Sequence, residues 1–239
     1  MAKRLRILAG PNGSGKTSIY KDLRDEFNWG VFVNADMIEQ SLREDGDLNL
    51  SAYGVSNIFY ERFATAFAES AQAQRSVCAL TNVELVDDVL ILKDTKLLDS
   101  YFSAFVASFI QSVLLENGIS FSLETVMSHP SKLDLMRLAK EKGYRVYLYY
   151  VSTLSAEVNV GRVRTRVEEG GHNVDEDRIR SRYTRSMEQL SDAIRLSDRA
   201  YVFDNSGMAY EWIAEYDGTE KQLKVYQEKD WLKQYVLKK

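Results

Sequence analysis

The chain has 239 residues, 45% of them apolar and 28% charged, with a net charge of −4. That composition suits one large α/β domain over residues 1–239 with a sizeable core, and it argues against coating nucleic acid by bulk electrostatics. A single cysteine, Cys78, excludes an intramolecular disulfide, two histidines beside it argue against zinc, and no apolar run approaches the ~18 residues of a membrane span, so a cytoplasmic protein is expected.

The first element is Leu5 to Ala9 (LRILA), a short apolar run that reads as a buried parallel strand. It runs directly into GPNGSGKT, a full phosphate-binding loop of the form G-x-x-x-x-G-K-[ST]. Glycines there let successive backbone N–H groups converge on an anion. Gly10, Pro11, Asn12, Gly13, Ser14, Gly15, Lys16, Thr17 and Ser18 are therefore the expected nucleotide-binding residues. A lysine in the Lys16 position reaches the β- and γ-phosphates, and a hydroxyl in the Thr17 position holds Mg²⁺. Ile19, Leu23 and Phe27 then recur every four residues, one face of a helix. The expected ligand is a nucleoside triphosphate with Mg²⁺.

Val31 to Asn34 reads as a second strand ending at Ala35-Asp36, and Arg43 to Asn49 as a polar loop. Val55, Phe59, Phe63 and Phe67 mark an amphipathic helix ending near Arg75, while Val77 to Lys93 is ambiguous between strand and helix. Ser100 to Glu116 is helical in spacing and closes at Asn117-Gly118. Ile119 to Leu123 alternates as a third strand that stops at Glu124-Thr125. A helix over Lys132 to Lys142 is stopped by Gly143, and Tyr144 to Val151 is a strong strand. Two helices follow, Ser155 to Glu169 and Asp175 to Ser197, split by Gly170-Gly171-His172. Ala200 to Phe203 is a strand, and Trp212 to Tyr216 with Leu223 to Tyr226 suits a hairpin around Asp217-Gly218. Alternating strands and helices imply a mostly parallel sheet covered on both faces, with ligands beyond the carboxyl ends of the strands.

Three features qualify the phosphate loop. Asp36 has two readings: a carboxylate that takes the proton of an acceptor hydroxyl, or the N-cap of the helix that follows. Glu124 and Thr125 stand where a strand end can hold substrate hydroxyls, or they form a solvent-facing turn. Arg162, Arg164, Arg166, Arg178, Arg180, Arg182 and Arg185 lie within 24 residues. Two helices with basic faces joined by a Gly-Gly turn suit a lid over a triphosphate, about 155–185, although Glu168, Glu169 and Asp175 to Asp177 can pair with some of the arginines. His172, in the turn, reads equally as a phosphate contact or a plain loop residue. There is no LSGGQ-like signature and no N-K-x-D.

AGPNGSGKT, VNAD, FSLETVMS, GYRVYLYYVST, RVRTRVEEGGHNVDEDRIRSRY and YVFDNS occur in an order that resembles the zeta-toxin family of P-loop kinases. The resemblance implies a P-loop kinase fold of about five strands in the order 2-3-1-4-5, with an arginine-rich lid. It implies ATP/Mg²⁺-dependent phosphorylation of a small hydroxyl-bearing substrate, a UDP-linked amino sugar in the best-known members. It places Asp36 at the general base, Glu124 and Thr125 at the substrate, and Arg166 and Arg182 among the lid arginines. For a toxin it implies an antitoxin protein as partner. Residues 50–117 are expected as a helical insertion between the second and third strands. A different reading stays open: a nucleotide-gated regulatory ATPase that controls a protein partner through that insertion.

Overall fold

A computed structural model describes residues 2–171 and 174–238; His172, a candidate phosphate contact, lies outside the described residues. The chain forms two compact units, residues 1–29 with 122–239, and residues 30–121. In chain order the first unit opens with strand β1 (Arg4–Ala9) and helix α1 (Lys16–Leu23). The second unit holds β2 (Val31–Val33), α2 (Ala35–Glu44), β3 (Asp47–Asn49), α3 (Tyr60–Glu69), β4 (Val83–Val86), β5 (Val89–Leu92) and α4 (Ser100–Glu116). The chain then returns through β6 (Phe121–Thr125), α5 (Ser131–Glu141), β7 (Arg145–Ser152), α6 (Ala156–Glu168), α7 (Glu176–Leu196), β8 (Arg199–Asp204), β9 (Glu211–Asp217), β10 (Gln222–Val225) and α8 (Asp230–Leu232), the last continued as a wider turn over Lys233–Leu237.

The first unit is built on a sheet in the order β10-β9-β8-β7-β1-β6. β1 pairs in parallel with β7, and β7 in parallel with β8. This is the 3-1-4-5 part of the expected order. The terminal hairpin adds β9 and β10 antiparallel at one edge, so the sheet is wider than the five strands expected. Strand residues alternate between two buried layers. Leu8, Tyr149, Val151 and Phe203 meet Ile19 of α1 and Trp29 on one face. On the other, Tyr150 reaches Ser186 and Met187 of α7. The helical stripe expected at Ile19, Leu23 and Phe27 is shorter than its period suggests. α1 ends at Leu23, Phe27 is 41% exposed, and Trp29, 5% exposed, fills the core instead.

In the second unit α4 is an apolar rod capped by Asp99, whose side chain accepts from the N–H groups of Tyr101 and Phe102. Phe63 packs edge-on against Phe105 and Phe109, and Phe67 against Phe105, at 5.1 Å between ring centres. The insertion is not purely helical: β3, β5 and β4 form a three-stranded antiparallel sheet. The polar stretch Arg43 to Asn49 is no loop, because α2 runs to Glu44 and Asp47–Asn49 pairs with β5. The helix expected from Val55 begins only at Tyr60. Asn57 stands at φ 59°, and the Asp88 carboxylate accepts from the N–H groups of Asn57 and Ile58, which fixes that bend.

Candidate phosphate-binding site

β1 delivers the loop Gly10 to Gly15 to the first residue of α1, and the loop closes on itself through Ser14 N–H to the Pro11 carbonyl at 3.2 Å. Gly10, Gly13 and Gly15 stand at φ 140°, 76° and 93°, a region that side chains avoid. At Gly10 and Gly13, where the neighbour is backbone, contact demands glycine as well. A Cβ on Gly10 would lie 2.0 Å from the Val151 carbonyl oxygen, one on Gly13 2.7 Å from the Asn159 carbonyl oxygen, and one on Gly15 2.0 Å from Asn205 Nδ2.

Lys16 is buried. Its ammonium donates to the carbonyls of Gly10 at 2.9 Å and Pro11 at 3.0 Å, and Glu124 Oε1 lies 3.8 Å away. Thr125 is held beside the loop: its carbonyl accepts from Gly10 N–H at 3.2 Å, and its hydroxyl accepts from Met127 N–H at 3.0 Å. Lys16, Glu124 and Thr125 are thus brought together by adjacent strand ends. Ser14 Oγ and Asn12 Oδ1 are buried with no protein partner among the described residues. Thr17 and Ser18 are exposed on the first turn of α1, and the Thr17 hydroxyl is a hard oxygen donor of the kind Mg²⁺ takes. Backbone N–H groups, a lysine and a cradle that any Cβ would fill suit phosphate groups.

Met127 sits at φ 53° while fully buried. α7 clamps this segment: Ser186 Oγ donates to the Val126 carbonyl at 2.6 Å, and Gln189 Nε2 to the Met127 carbonyl at 3.0 Å.

The arginines of α6 and α7 divide by partner. Arg164 donates to Glu176 at 2.6 Å, and Arg180 bridges Glu157 of α6 to Glu176 and Asp177 of α7. Hydrogen bonds from Arg164 and Arg180 hold the Glu176 carboxyl below its ordinary range, and one from Arg180 does the same for Glu157. Beneath them Val160, Val163 and Ile179 form an apolar seam. Arg162 donates to the Gly207 carbonyl at 3.2 Å. Arg166 is exposed on α6 and Arg182 partly buried on α7.

Asp36 lies in the second unit, exposed in the first turn of α2. The cap there is Asn34, whose side chain accepts from the N–H groups of Asp36 at 2.8 Å and Met37 at 3.3 Å, which removes the N-cap reading of Asp36. Sequence reading passed over Asn205, whose Nδ2 donates to the Ser14 carbonyl at 2.8 Å. The only signal for it was its place directly after a strand end. Among the described residues, no helix is long and apolar enough to cross a membrane.

Fold and loop together define an α/β protein of the P-loop kinase-like class. A family model described as Zeta toxin matches residues 89–217, just over half of the chain. The chain belongs to the zeta-toxin family. The matched stretch begins after the phosphate loop and takes in β6, α6, α7 and β8. Among solved structures, AvrRxo1-ORF1 in complex with AvrRxo1-ORF2 and sulphate ions superposes with a TM-score of 0.58 at 17% identity, covering 94% of this chain and 61% of that one. The same pair with ATP gives 0.55 at 17% identity, with the same coverage. The PezAT chromosomal toxin-antitoxin system of Streptococcus pneumoniae gives 0.50 at 17% identity, covering 99% of this chain and 80% of that one. At such identities the likeness is one of fold. An uncharacterised protein of Haemophilus influenzae is 36% identical over 69 residues, which cover 29% of this chain and 49% of that protein. The matched region therefore spans about half the length of that relative.

Proposed function

We propose that the chain is an ATP/Mg²⁺-dependent phosphotransferase acting on a hydroxyl of a small substrate. The observation that carries this is the phosphate loop, with three glycines that admit no side chain and Lys16 buried beside Glu124. The AvrRxo1 pair crystallised with ATP and membership of the zeta-toxin family support ATP as the donor.

In this reading the acceptor hydroxyl attacks the γ-phosphorus in line. The new O–P bond forms as the bond to the β,γ-bridging oxygen breaks, and ADP departs with the electron pair. Asp36 takes the hydroxyl proton; it is assigned by its place in VNAD, as Glu124 and Thr125 are assigned to hold the acceptor. Lys16 and the loop N–H groups hold the β- and γ-oxygens, and Arg166 and Arg182 meet the charge that develops on the transferred group. The Thr17 hydroxyl would hold Mg²⁺, which when bound neutralises phosphate charge and fixes its geometry. The leading acceptor is a UDP-amino sugar such as UDP-N-acetylglucosamine. An antitoxin protein is the proposed partner, a reading supported by the toxin-antitoxin PezAT system and the paired AvrRxo1 chains.

A ³¹P NMR time course with ATP and Mg²⁺, with and without UDP-N-acetylglucosamine, tests the assignment. A new phosphomonoester signal should need the sugar nucleotide and should vanish in Asp36→Asn, which should still bind ATP. ADP and free phosphate unchanged by the sugar would remove the UDP-sugar.

A further inference from the structure

Four consecutive residues at the end of β8, Asp204 to Gly207, each hold a different part of the first unit. The Asp204 carboxylate, 4% exposed, accepts from Trp231 Nε1 of α8 at 2.7 Å. Asn205 N–H donates to the Ser152 carbonyl at the end of β7, while its side chain donates to the Ser14 carbonyl, both at 2.8 Å. Ser206 Oγ accepts from Leu154 N–H at 2.7 Å, and the Gly207 carbonyl accepts from Arg162 of α6. The phosphate loop, a central strand end, α6 and the C-terminal helix thus converge on one short segment.

Within it, the Asn205 contact acts directly on the phosphate loop. A trans peptide is planar, so the carbonyl of Ser14 and the N–H of Gly15 point in opposite directions. Holding that carbonyl toward Asn205 turns the Gly15 N–H to the other side. Among the described residues that N–H has no protein acceptor. The carboxamide also fills the space a Gly15 Cβ would need, with Nδ2 2.0 Å from that position. Glycine at 15 is required by φ 93°, and the Asn205 amide packs against it.

We propose that Asn205 is a positioning residue for the phosphate loop: it locks the peptide between Ser14 and Gly15 so that the Gly15 N–H serves the bound phosphates. This rests on the nucleotide-binding reading above and adds a residue that acts on phosphate without touching it.

The test is isothermal titration calorimetry of the full chain with Mg-ATP and, separately, with tripolyphosphate, which has no base or ribose. Asn205→Ala should raise Kd for both ligands by the same factor, about tenfold or more. Asn205→Asp, of equal size but facing the Ser14 carbonyl with oxygen in place of a donor, should lose at least as much. Tm should fall by only the ~2–4 °C that one lost hydrogen bond gives in a chain of this size. Variants that bind both ligands like wild type would overturn the proposal. Loss for ATP with tripolyphosphate unchanged would overturn it too, and make Asn205 a contact to the nucleoside. A Tm loss large enough to explain the weaker binding would reduce Asn205 to a folding role. Wild type that binds neither ligand would instead overturn the nucleotide-binding reading itself.

Discussion

Removing the hydroxyl that ties β7 to α7 should expose a measurable coupling between two buried groups. Tyr150 and Ser186 are both 0% exposed. Ser186 has one proton, and it goes to the Val126 carbonyl at 2.6 Å, so Tyr150 is the donor in the 2.8 Å contact between their oxygens. Burial pushes the Tyr150 phenol well above its ordinary pKa, which keeps it a donor. Tyr150→Phe then removes one hydrogen bond but strands no donor and should cost about 1 kcal/mol. Ser186→Ala strands both the Val126 carbonyl and the Tyr150 hydroxyl, whose remaining acceptor is the weak Met187 sulfur at 3.5 Å. It should cost about 2–3 kcal/mol. The double variant strands only the carbonyl, so the two effects should fall short of additivity by about 1 kcal/mol. Urea unfolding followed by far-UV circular dichroism, with unchanged m, reads all three values. Additive effects, or a Ser186→Ala cost below about 0.5 kcal/mol, would refute the assigned direction of the hydrogen bonds.

Other consequences are open to the same kind of measurement. Gly10→Ala would place its Cβ 2.0 Å from the Val151 carbonyl oxygen, so it should both lower Tm and abolish ATP binding, read by thermal shift with and without nucleotide. Burial pushes the Lys132 ammonium down to about 8. At Lys132 the folded chain therefore binds fewer protons than the unfolded one above that pH, which should raise the urea midpoint from pH 8 towards 9.5 against the opposing Cys78 thiol, which burial pushes up. Lys132→Met should flatten that rise; an equal rise in the variant would show another group at work. Arg180→Ala should leave phosphoryl transfer near wild type, while Arg182→Ala should lower kcat by about a thousandfold or more, as loss of a transition-state arginine does. Equal losses in both would refute the division of these arginines.

Features set by neighbouring residues were legible in the sequence. The phosphate loop was, because nine consecutive residues carry its geometry. So were α4, α5 and α6, whose apolar periods end at Asn117-Gly118, Gly143 and a Gly-Gly pair, and α7, whose apolar period runs along a 21-residue helix to Leu196. β3 escaped because Asp47–Asn49 holds one apolar residue, and only pairing with β5 makes it a strand. The β4–β5 turn escaped because it uses Asp87-Asp88 at φ 49° and 62°, positions where Asn-Gly is the usual signal. Asp88 is held there by long-range bonds to Asn57 and Ile58, which also hold its carboxyl below its ordinary pKa. Asn205 escaped for the same reason, since its partner Ser14 is 191 residues away.

The arginines of α6 and α7 show how composition can overstate a ligand. A dense run of arginine rather than lysine reads as phosphate recognition, because the planar fork matches phosphate oxygens. The same fork serves a second purpose here. Arg180 uses Nε, Nη1 and Nη2 to reach Glu157, Asp177 and Glu176, joining one helix to the next across the Gly170-Gly171 break. A lysine offers one charged centre and could not span that set. Arg162 donates one Nη N–H to the Gly207 carbonyl, tying α6 to the segment that also holds the phosphate loop. Arginine rather than lysine at position 180 is thus explained by protein carboxylates, with no phosphate required. The proposed phosphate contact falls to Arg166, one turn from Arg162 on α6, and to Arg182 on α7. It rests there on position rather than on number.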